Sequence, residues 1–114
     1  MSSSDIGKIA EEKAVNFLKQ KGYTILDRNF RTRYGEIDII ASKDKTLVFV
    51  EVRFRSGSFI SPEESIDYRK VQRIIKTANA YLTKATINYE NIRFDVIAID
   101  KNQIRHIENA FDIM

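Results

Sequence analysis

Apolar and polar positions alternate along the chain with two periods, one helical and one strand-like. Apolar side chains recur every three or four positions in residues 5–22 and 71–82, which predicts two amphipathic helices. Five segments have strand character, and they are residues 23–27, 36–41, 46–54, 93–99 and 103–107. The resulting order, α-β-β-β-α-β-β, predicts a mixed α/β fold.

Turn and capping residues mark the ends of these elements. Gly22 can close the first helix after a lysine-rich last turn. Residues 28–33 are rich in arginine and are predicted to form a basic turn, and residues 42–45 form the next turn. The second helix has two equally good start signals, since both Ser61 and Asp67 can cap it.

Residues 46–54 give the clearest strand pattern in the chain. Residues 47–50 are apolar on both faces of this strand. Such a strand is typical of the middle of a sheet that helices cover on both sides. We therefore expect a single domain over residues 1–114, with a central mixed β-sheet flanked by helices.

The strand pattern breaks where carboxylates replace apolar residues. Side chains two positions apart in a strand share a face, so Glu51 lies beside Arg53. For the same reason Glu36 lies beside Asp38 in the preceding strand. A hairpin around residues 42–45 would bring Asp38 close to Glu51. Two neighbouring carboxylates repel unless a proton or a cation lies between them, and Mg²⁺ takes such oxygen ligands.

The first helix offers a further carboxylate. Glu11 lies at the margin of the apolar stripe, from which it can lean over the sheet. Glu12 points almost directly away from the stripe, and we expect it to be solvated. The helical spacing therefore adds Glu11, and not Glu12, to the candidate site.

Purely structural roles compete with this interpretation. Glu51 and Arg53 are equally consistent with half of a cross-strand ion pair. Glu36 is favoured as the partner of an arginine, and the candidates are Arg28, Arg31 and Arg33.

Three other residues are expected to be structural. We expect Asp95 to bond backbone or arginine and not a metal. His106 is expected at the surface of an edge strand, and Phe30 in the core.

Composition narrows the chemistry. The chain has 114 residues, with 19 basic and 16 acidic side chains and a formal charge of +3. The absence of cysteine excludes a disulfide scaffold, a thiolate metal site and a cysteine nucleophile, and the single histidine, His106, excludes a multi-histidine zinc site. No apolar run approaches the ~20 residues that span a bilayer, and no secretory signal is evident. We expect a cytoplasmic protein with no membrane association.

Two motifs resemble a known family. Gly35-Glu36-Ile37-Asp38-Ile39-Ile40-Ala41 and Val48-Phe49-Val50-Glu51-Val52-Arg53 resemble the YraN family of uncharacterised bacterial proteins. Further matches run in the same order over roughly residues 5–99, and they include Gly7, Glu11, Gly22, Lys70, Arg73 and Arg93-Phe94-Asp95-Val96. That family resembles a divergent branch of the restriction-endonuclease-like fold, related to the archaeal Holliday junction resolvases.

The resemblance implies roles for individual residues. Its catalytic positions fall on Glu11, Asp38, Glu51 and Arg53, with Glu36 supporting the acidic cluster. Asp38, Glu51 and the Val52 carbonyl would hold Mg²⁺ or Mn²⁺, while Glu11 would position water or a second metal. The nuclease motif has lysine where this chain has Arg53. Arginine stays protonated, so it cannot act as a general base, but it can clamp phosphate.

The leading hypothesis is a metal-dependent nuclease-like protein that hydrolyses phosphodiester bonds of nucleic acid. The expected substrate is DNA, with branched or junction DNA as a candidate. Phosphate contacts are expected from Arg28, Arg31, Arg33, Arg55, Lys70 and Arg73. The resolvase analogy also implies a homodimer. The alternative is a catalytically inactive nucleic-acid-binding or protein-assembly module on the same fold.

Overall fold

The computed structural model describes residues 3–54, 68–100 and 103–111. The described elements follow the predicted order, and they are α1 (Ser3–Gln20), β1 (Thr24–Thr32), β2 (Gly35–Lys43), β3 (Thr46–Phe54), α2 (Tyr68–Lys84), β4 (Asn91–Ile99) and β5 (Ile104–Ile107). This is a mixed α/β fold with one five-stranded sheet and two helices, as the periodicities predict. Neither of these helices is long and apolar enough to cross a membrane.

The strands lie in the sheet in their sequence order, β1-β2-β3-β4-β5, so the doubly apolar strand β3 occupies the centre. β3 and β4 are parallel, with Phe49 opposite Phe94, and the other neighbours are antiparallel. A parallel pair needs a crossover connection, and α2 lies within this one. The hairpin between β2 and β3 sets Ile39 opposite Val50.

The helices cover opposite faces of the sheet. Val48 and Val50 pack in the cluster that contains Leu18 of α1. Leu47 and Phe49 point the other way, into the cluster that contains residues of α2. Because side chains alternate along β3, its next odd-numbered position, Glu51, belongs to the α2 side.

Gly22 ends α1 as predicted. The Tyr23 amide donates to the Leu18 carbonyl and the Gly22 amide to the Lys19 carbonyl, each at 3.0 Å, which is the Schellman pattern. Gly22 takes a φ of 92°, a left-handed conformation that glycine adopts at low cost. Tyr23 and Leu18 are both buried in the cluster under α1, so the cap also anchors the start of β1.

The prediction of a basic turn over residues 28–33 is wrong. β1 continues through Thr32, and the turn lies at residues 33–34. β1 is an edge strand, where charged side chains face solvent, so its arginines do not interrupt the ladder. The buried side of this stretch is supplied by Phe30, which packs against the α2 cluster as expected. Both predicted starts of the second helix, Ser61 and Asp67, lie outside the described residues.

Candidate functional site

Asp38 lies where the ladder between β2 and β3 ends. The last described pair of that ladder joins Ile39 to Val50. Beyond it, the Asp38 Oδ2 accepts a hydrogen bond of 2.8 Å from the backbone N–H of Val52. The predicted hairpin therefore does bring Asp38 to the polar end of β3, beside Glu51.

The Asp38 carboxyl has an unusual protonation equilibrium. Burial raises its pKa, the nearby charge of Glu51 raises it further, and Glu11 and Glu36 add smaller contributions. The hydrogen bond from the Val52 N–H acts in the opposite direction, and the net effect raises the pKa of Asp38 to about 7. A buried carboxylate crowded by like charges favours a proton or a cation, and such groups cluster at functional sites.

Glu51 is nearly buried, with 9% of its side chain exposed, and it faces two cations. The Lys70 ammonium on α2 lies 2.8 Å from Glu51 Oε1, and the Nε of Arg53 lies 3.9 Å from the same oxygen. The short ion pair of Glu51 therefore comes from a helix and not from a neighbouring strand. We predicted Lys70 as a phosphate contact and missed its pairing with Glu51. The placement of Glu51 on the α2 face of β3 is the signal that would have indicated it.

Glu11 leans over the sheet as the helical spacing predicts. Carboxylate oxygens of Glu11, Glu36 and Asp38 all lie within 4.8 Å of one another. Glu12, one position along α1, is exposed and pairs with Arg28 at 2.9 Å. The group of three carboxylates draws on α1 and on two positions of β2. Strict alternation does not hold across Asp38, because Ile37 packs in the α2 cluster and Ile39 in the α1 cluster.

The ligand chemistry of these groups suits a hard divalent cation. Every side chain in the acidic group offers oxygen, which Mg²⁺ and Mn²⁺ prefer. A divalent ion would also stabilise the Asp38 carboxylate against the burial and the repulsion from Glu51 that raise its pKa. One carboxylate oxygen of Glu36 already accepts a hydrogen bond of 2.8 Å from Arg31, which is the pairing favoured from the sequence. The residues present therefore fit a carboxylate-bound metal.

A cleft of about 240 Å³ opens beside these groups. It is lined by Gly35, Glu36, Asp38, Glu51, Lys70, Arg73 and Ile74. Carboxylates from two strands thus face cations from α2 across one cavity, so oxygen ligands for a metal and cationic groups for a phosphate lie side by side.

The six predicted phosphate contacts do not share one surface. Lys70 and Arg73 line the cleft. Arg28 pairs with Glu12 and Arg31 with Glu36 on the exposed side of β1. Arg33 donates to the Tyr34 hydroxyl in the turn before β2, and Arg55 lies outside the described residues.

A second network of charges lies away from the cleft, around Asp95. Its carboxylate is fully buried and accepts hydrogen bonds from Arg93 at 2.9 Å and from the Asn109 backbone N–H at 3.0 Å. His106 Nε2 lies 2.6 Å away. Burial alone would raise the pKa of Asp95, but these hydrogen bonds hold it below its usual value. Asp95 is bonded by arginine and backbone, as expected.

The prediction of a surface position for His106 is wrong. The residue does lie on the edge strand β5, but only 3% of its side chain is exposed. Its ring contacts Asp95 and is covered by Phe17 and Tyr23, whose ring centroids lie 6.1 and 6.0 Å from its own. Aromatic side chains from α1 and its C-terminal turn therefore cover one side of this edge strand.

Comparison with known proteins agrees with the motifs. The model of "Uncharacterised protein family UPF0102" matches residues 10–99. A UPF0102 protein of Persephonella marina is 56% identical over 108 residues, which cover 94% of this chain and 93% of that protein.

Two further relatives match over almost their whole length. A UPF0102 protein of Alkaliphilus oremlandii is 50% identical and covers 93% of this chain and 97% of its own. A UPF0102 protein of Sulfurihydrogenibium is 46% identical and covers 99% of both chains. On this evidence, together with the two strand motifs, the chain belongs to the UPF0102 family, also called the YraN family.

Proposed function

We propose that this protein is a metal-dependent nuclease-like enzyme that hydrolyses phosphodiester bonds in DNA, including branched DNA. The observation that carries the proposal is the composition of the cleft, in which Asp38 and Glu51 face Lys70 and Arg73. Carboxylates that bind a divalent metal, next to cations that bind phosphate, are the parts that hydrolysis of a phosphodiester needs.

Asp38, Glu51 and the Val52 carbonyl would hold the metal, with Glu11 and Glu36 adding carboxylates beside Asp38. When bound, Mg²⁺ or Mn²⁺ lowers the pKa of a coordinated water and polarises the phosphate. The five-residue set draws on α1, β2 and β3, so it depends on the packing of helix against sheet.

The other side chains of the cleft have separate roles in the proposed hydrolysis. Lys70 and Arg73 bind the phosphate and offset its negative charge. Arg53 has only 9% of its side chain exposed, and since a guanidinium offers donors and no acceptor, its role would be to stabilise negative charge. Asp38, with a pKa of about 7, can hold or release a proton near neutral pH until a cation occupies the cleft.

A second candidate function is a nucleic-acid-binding or assembly module that keeps the fold without the chemistry. It is favoured by Arg53 at the place of the motif lysine, since arginine cannot replace lysine as a proton acceptor. On this alternative, the cations of the cleft bind phosphate while the carboxylates have a structural role.

One experiment separates these functions. The purified chain is incubated with end-labelled four-way junction, flap, single-stranded and duplex DNA in Mg²⁺ or Mn²⁺. We expect cleavage by the wild type, and its loss in Asp38→Asn and Glu51→Gln but not in Glu12→Gln, whose carboxylate faces solvent. Binding that weakens steeply with salt, without cleavage in either metal, would leave the binding module. No binding at all would leave an interaction domain.

A further inference from the structure

The turn between β1 and β2 presents an aromatic ring to solvent. Tyr34 has 37% of its surface exposed. The guanidinium of Arg33 lies 5.0 Å from the ring centroid and donates a hydrogen bond of 2.9 Å to the Tyr34 hydroxyl. The Lys76 ammonium on α2 lies 5.7 Å from the same centroid. The folding of a solvated turn does not require an exposed ring flanked by two cations, so this arrangement calls for another explanation.

This ring borders a second cleft of about 420 Å³, lined by Tyr34, Lys76, Asn79, Ala80 and Thr83. The volume lies in the range of small-molecule sites. Its lining combines an aromatic face, an ammonium group, a side-chain amide and a hydroxyl, which together can stack and hydrogen-bond a flat heterocycle.

The second cleft lies next to the carboxylate cleft. Gly35 lines the carboxylate cleft and Tyr34, its neighbour in the chain, lines the other. On α2, Lys70 and Arg73 belong to the first cleft and Lys76 to the second. Three residues advance an α-helix by about 4.5 Å, so these three cations follow one another along α2 from the first cleft to the second.

We propose that the cleft at Tyr34 binds an unpaired nucleotide of a DNA strand whose neighbouring phosphate lies in the carboxylate cleft. This inference rests on the proposed function and names its substrate class, namely DNA with a single-stranded segment. An unpaired base stacks on the Tyr34 ring or on the Arg33 guanidinium plane, while Lys76 binds the adjoining phosphate. A base within an intact duplex is stacked on both faces, so it cannot use this site.

The chemistry of the second cleft favours nucleic acid over a peptide or a lipid surface. Lys76 lines this cleft and Arg33 lies against the ring at its edge, so two cations flank the one aromatic side chain of the lining. Lys76 and Arg33 alone would be enough to bind a phosphate group. The ring between them is explained by a partner that has an aromatic face as well as a negative charge.

Binding is measured by the fluorescence of 2-aminopurine in a single-stranded oligonucleotide, and in the same sequence as a duplex, with EDTA present to prevent cleavage. We expect Tyr34→Ala to bind the single strand about tenfold more weakly and to lose the quenching of the probe. Tyr34→Phe keeps the ring and should bind within about twofold of the wild type. Duplex binding should change little in either variant.

Tyr89→Ala is the matched control. Tyr89 has 36% of its surface exposed, close to the value for Tyr34, and the next residue, Glu90, hydrogen-bonds Lys45 at the far end of the β2–β3 hairpin. Its substitution should leave single-strand binding unchanged. Equal losses in Tyr34→Ala and Tyr89→Ala, equal losses on single strand and duplex, or no loss would each overturn the inference.

Cleavage assays on the same variants separate this inference from the proposed function. Metal-dependent cleavage that requires Asp38 but does not respond to Tyr34→Ala would overturn the unpaired-nucleotide site and support the nuclease. Binding of single strands that depends on Tyr34, in a wild-type protein that cuts no substrate, would support the site and overturn the nuclease. Tighter binding of an RNA oligonucleotide of the same sequence would overturn the assignment to DNA.

Discussion

The ammonium of Lys70 on α2 lies 2.8 Å from the carboxylate of Glu51 on β3. A lysine therefore reaches the acidic cleft from the helix. On the strand, Arg53 occupies the position at which the nuclease motif that this chain resembles has lysine. Lys70 has 36% of its side chain exposed, against 9% for Arg53. Lys70 is thus the more accessible of the two cations to anything that enters the cleft.

Replacing Lys70 should affect cleavage much more than folding. Lys70→Ala is expected to lower the cleavage rate about 100-fold, because one group that offsets phosphate charge is lost. The loss in unfolding free energy should stay near 1 kcal/mol, since the lysine is partly solvated. Lys70→Arg keeps the charge and should retain most of the activity. Single-turnover cleavage rates and urea denaturation measure the two effects.

The control for Lys70→Ala is Arg69→Ala, which removes an exposed cation from the preceding position of α2. Only the general attraction to DNA should weaken in that variant, with a change in cleavage rate of about threefold at moderate salt. If both variants lose activity equally, Lys70 contributes only to the overall positive charge of the helix.

Asp38 should make the metal-free protein less stable as the pH rises. Its pKa of about 7 lies above the usual carboxyl value, so the folded state holds a proton that the unfolded state has released. The unfolding free energy should therefore fall between about pH 4 and pH 7, by up to about 4 kcal/mol. Asp38→Asn should remove this loss and raise the Tm by several degrees at pH 8, but little at pH 5.

Thermal denaturation at both pH values tests this prediction, with Asp44→Asn as the control. Asp44 is exposed in the β2–β3 turn with a φ of 50°, a conformation that asparagine tolerates well. Its replacement should shift the Tm equally at both pH values. A stabilisation by Asp38→Asn that does not depend on pH would mean that the ionisation of the buried Asp38 carboxyl is not its cause.

The part of the site that lies within the β2–β3 hairpin could be predicted from the sequence. Residues 46–54 alternate so clearly that β3 has the predicted bounds. The turn is shorter than the predicted 42–45 and lies at residues 44–45, and it fixes which residue of β2 meets which residue of β3. The approach of Asp38 to Glu51 follows from local rules alone.

Contacts between distant elements could not be predicted in this way. Helical spacing indicates which face of α2 is apolar, but the pairing of Lys70 with Glu51 also depends on the angle at which the helix crosses the sheet. The burial of His106 likewise requires Phe17 and Tyr23 to cover an edge strand more than 80 positions away. The alternation of apolar and polar residues within a strand does not show which distant side chains will pack over it.

The network around Asp95 should be needed for stability and not for cleavage. Asp95→Asn is expected to cost about 3 kcal/mol, because it leaves the charge of Arg93 and the ring of His106 without the anion they surround. Glu108→Gln alters a pair of 3.2 Å whose acid is 55% exposed, and should cost less than about 1 kcal/mol. Urea denaturation at pH 7 measures both variants.

The pH dependence of this network is opposite in sign to that of Asp38. The pKa of Asp95 is held low, so its contribution to stability is complete above the usual carboxyl pKa and is lost as the pH falls through the folded-state value. The difference between the wild type and Asp95→Asn should therefore shrink under strongly acidic conditions. An equal difference at pH 7 and under acid would show that Asp95 acts through packing and not through its charge.

Manganese should stabilise the protein through the acidic cleft, and more strongly at pH 8 than at pH 6. Protonation of Asp38 competes with the metal, and its pKa of about 7 lies between these two conditions. At 100 times the dissociation constant, binding adds about 2.7 kcal/mol to the unfolding free energy, which is visible as a rise in Tm.

Asp38→Asn should abolish the rise in Tm with manganese, and Glu11→Gln should reduce it. Glu12→Gln, which alters the next position on α1 but a carboxylate that faces solvent, should leave it unchanged. A rise of equal size in Asp38→Asn and the wild type would place any bound manganese elsewhere and remove the metal from the proposed function.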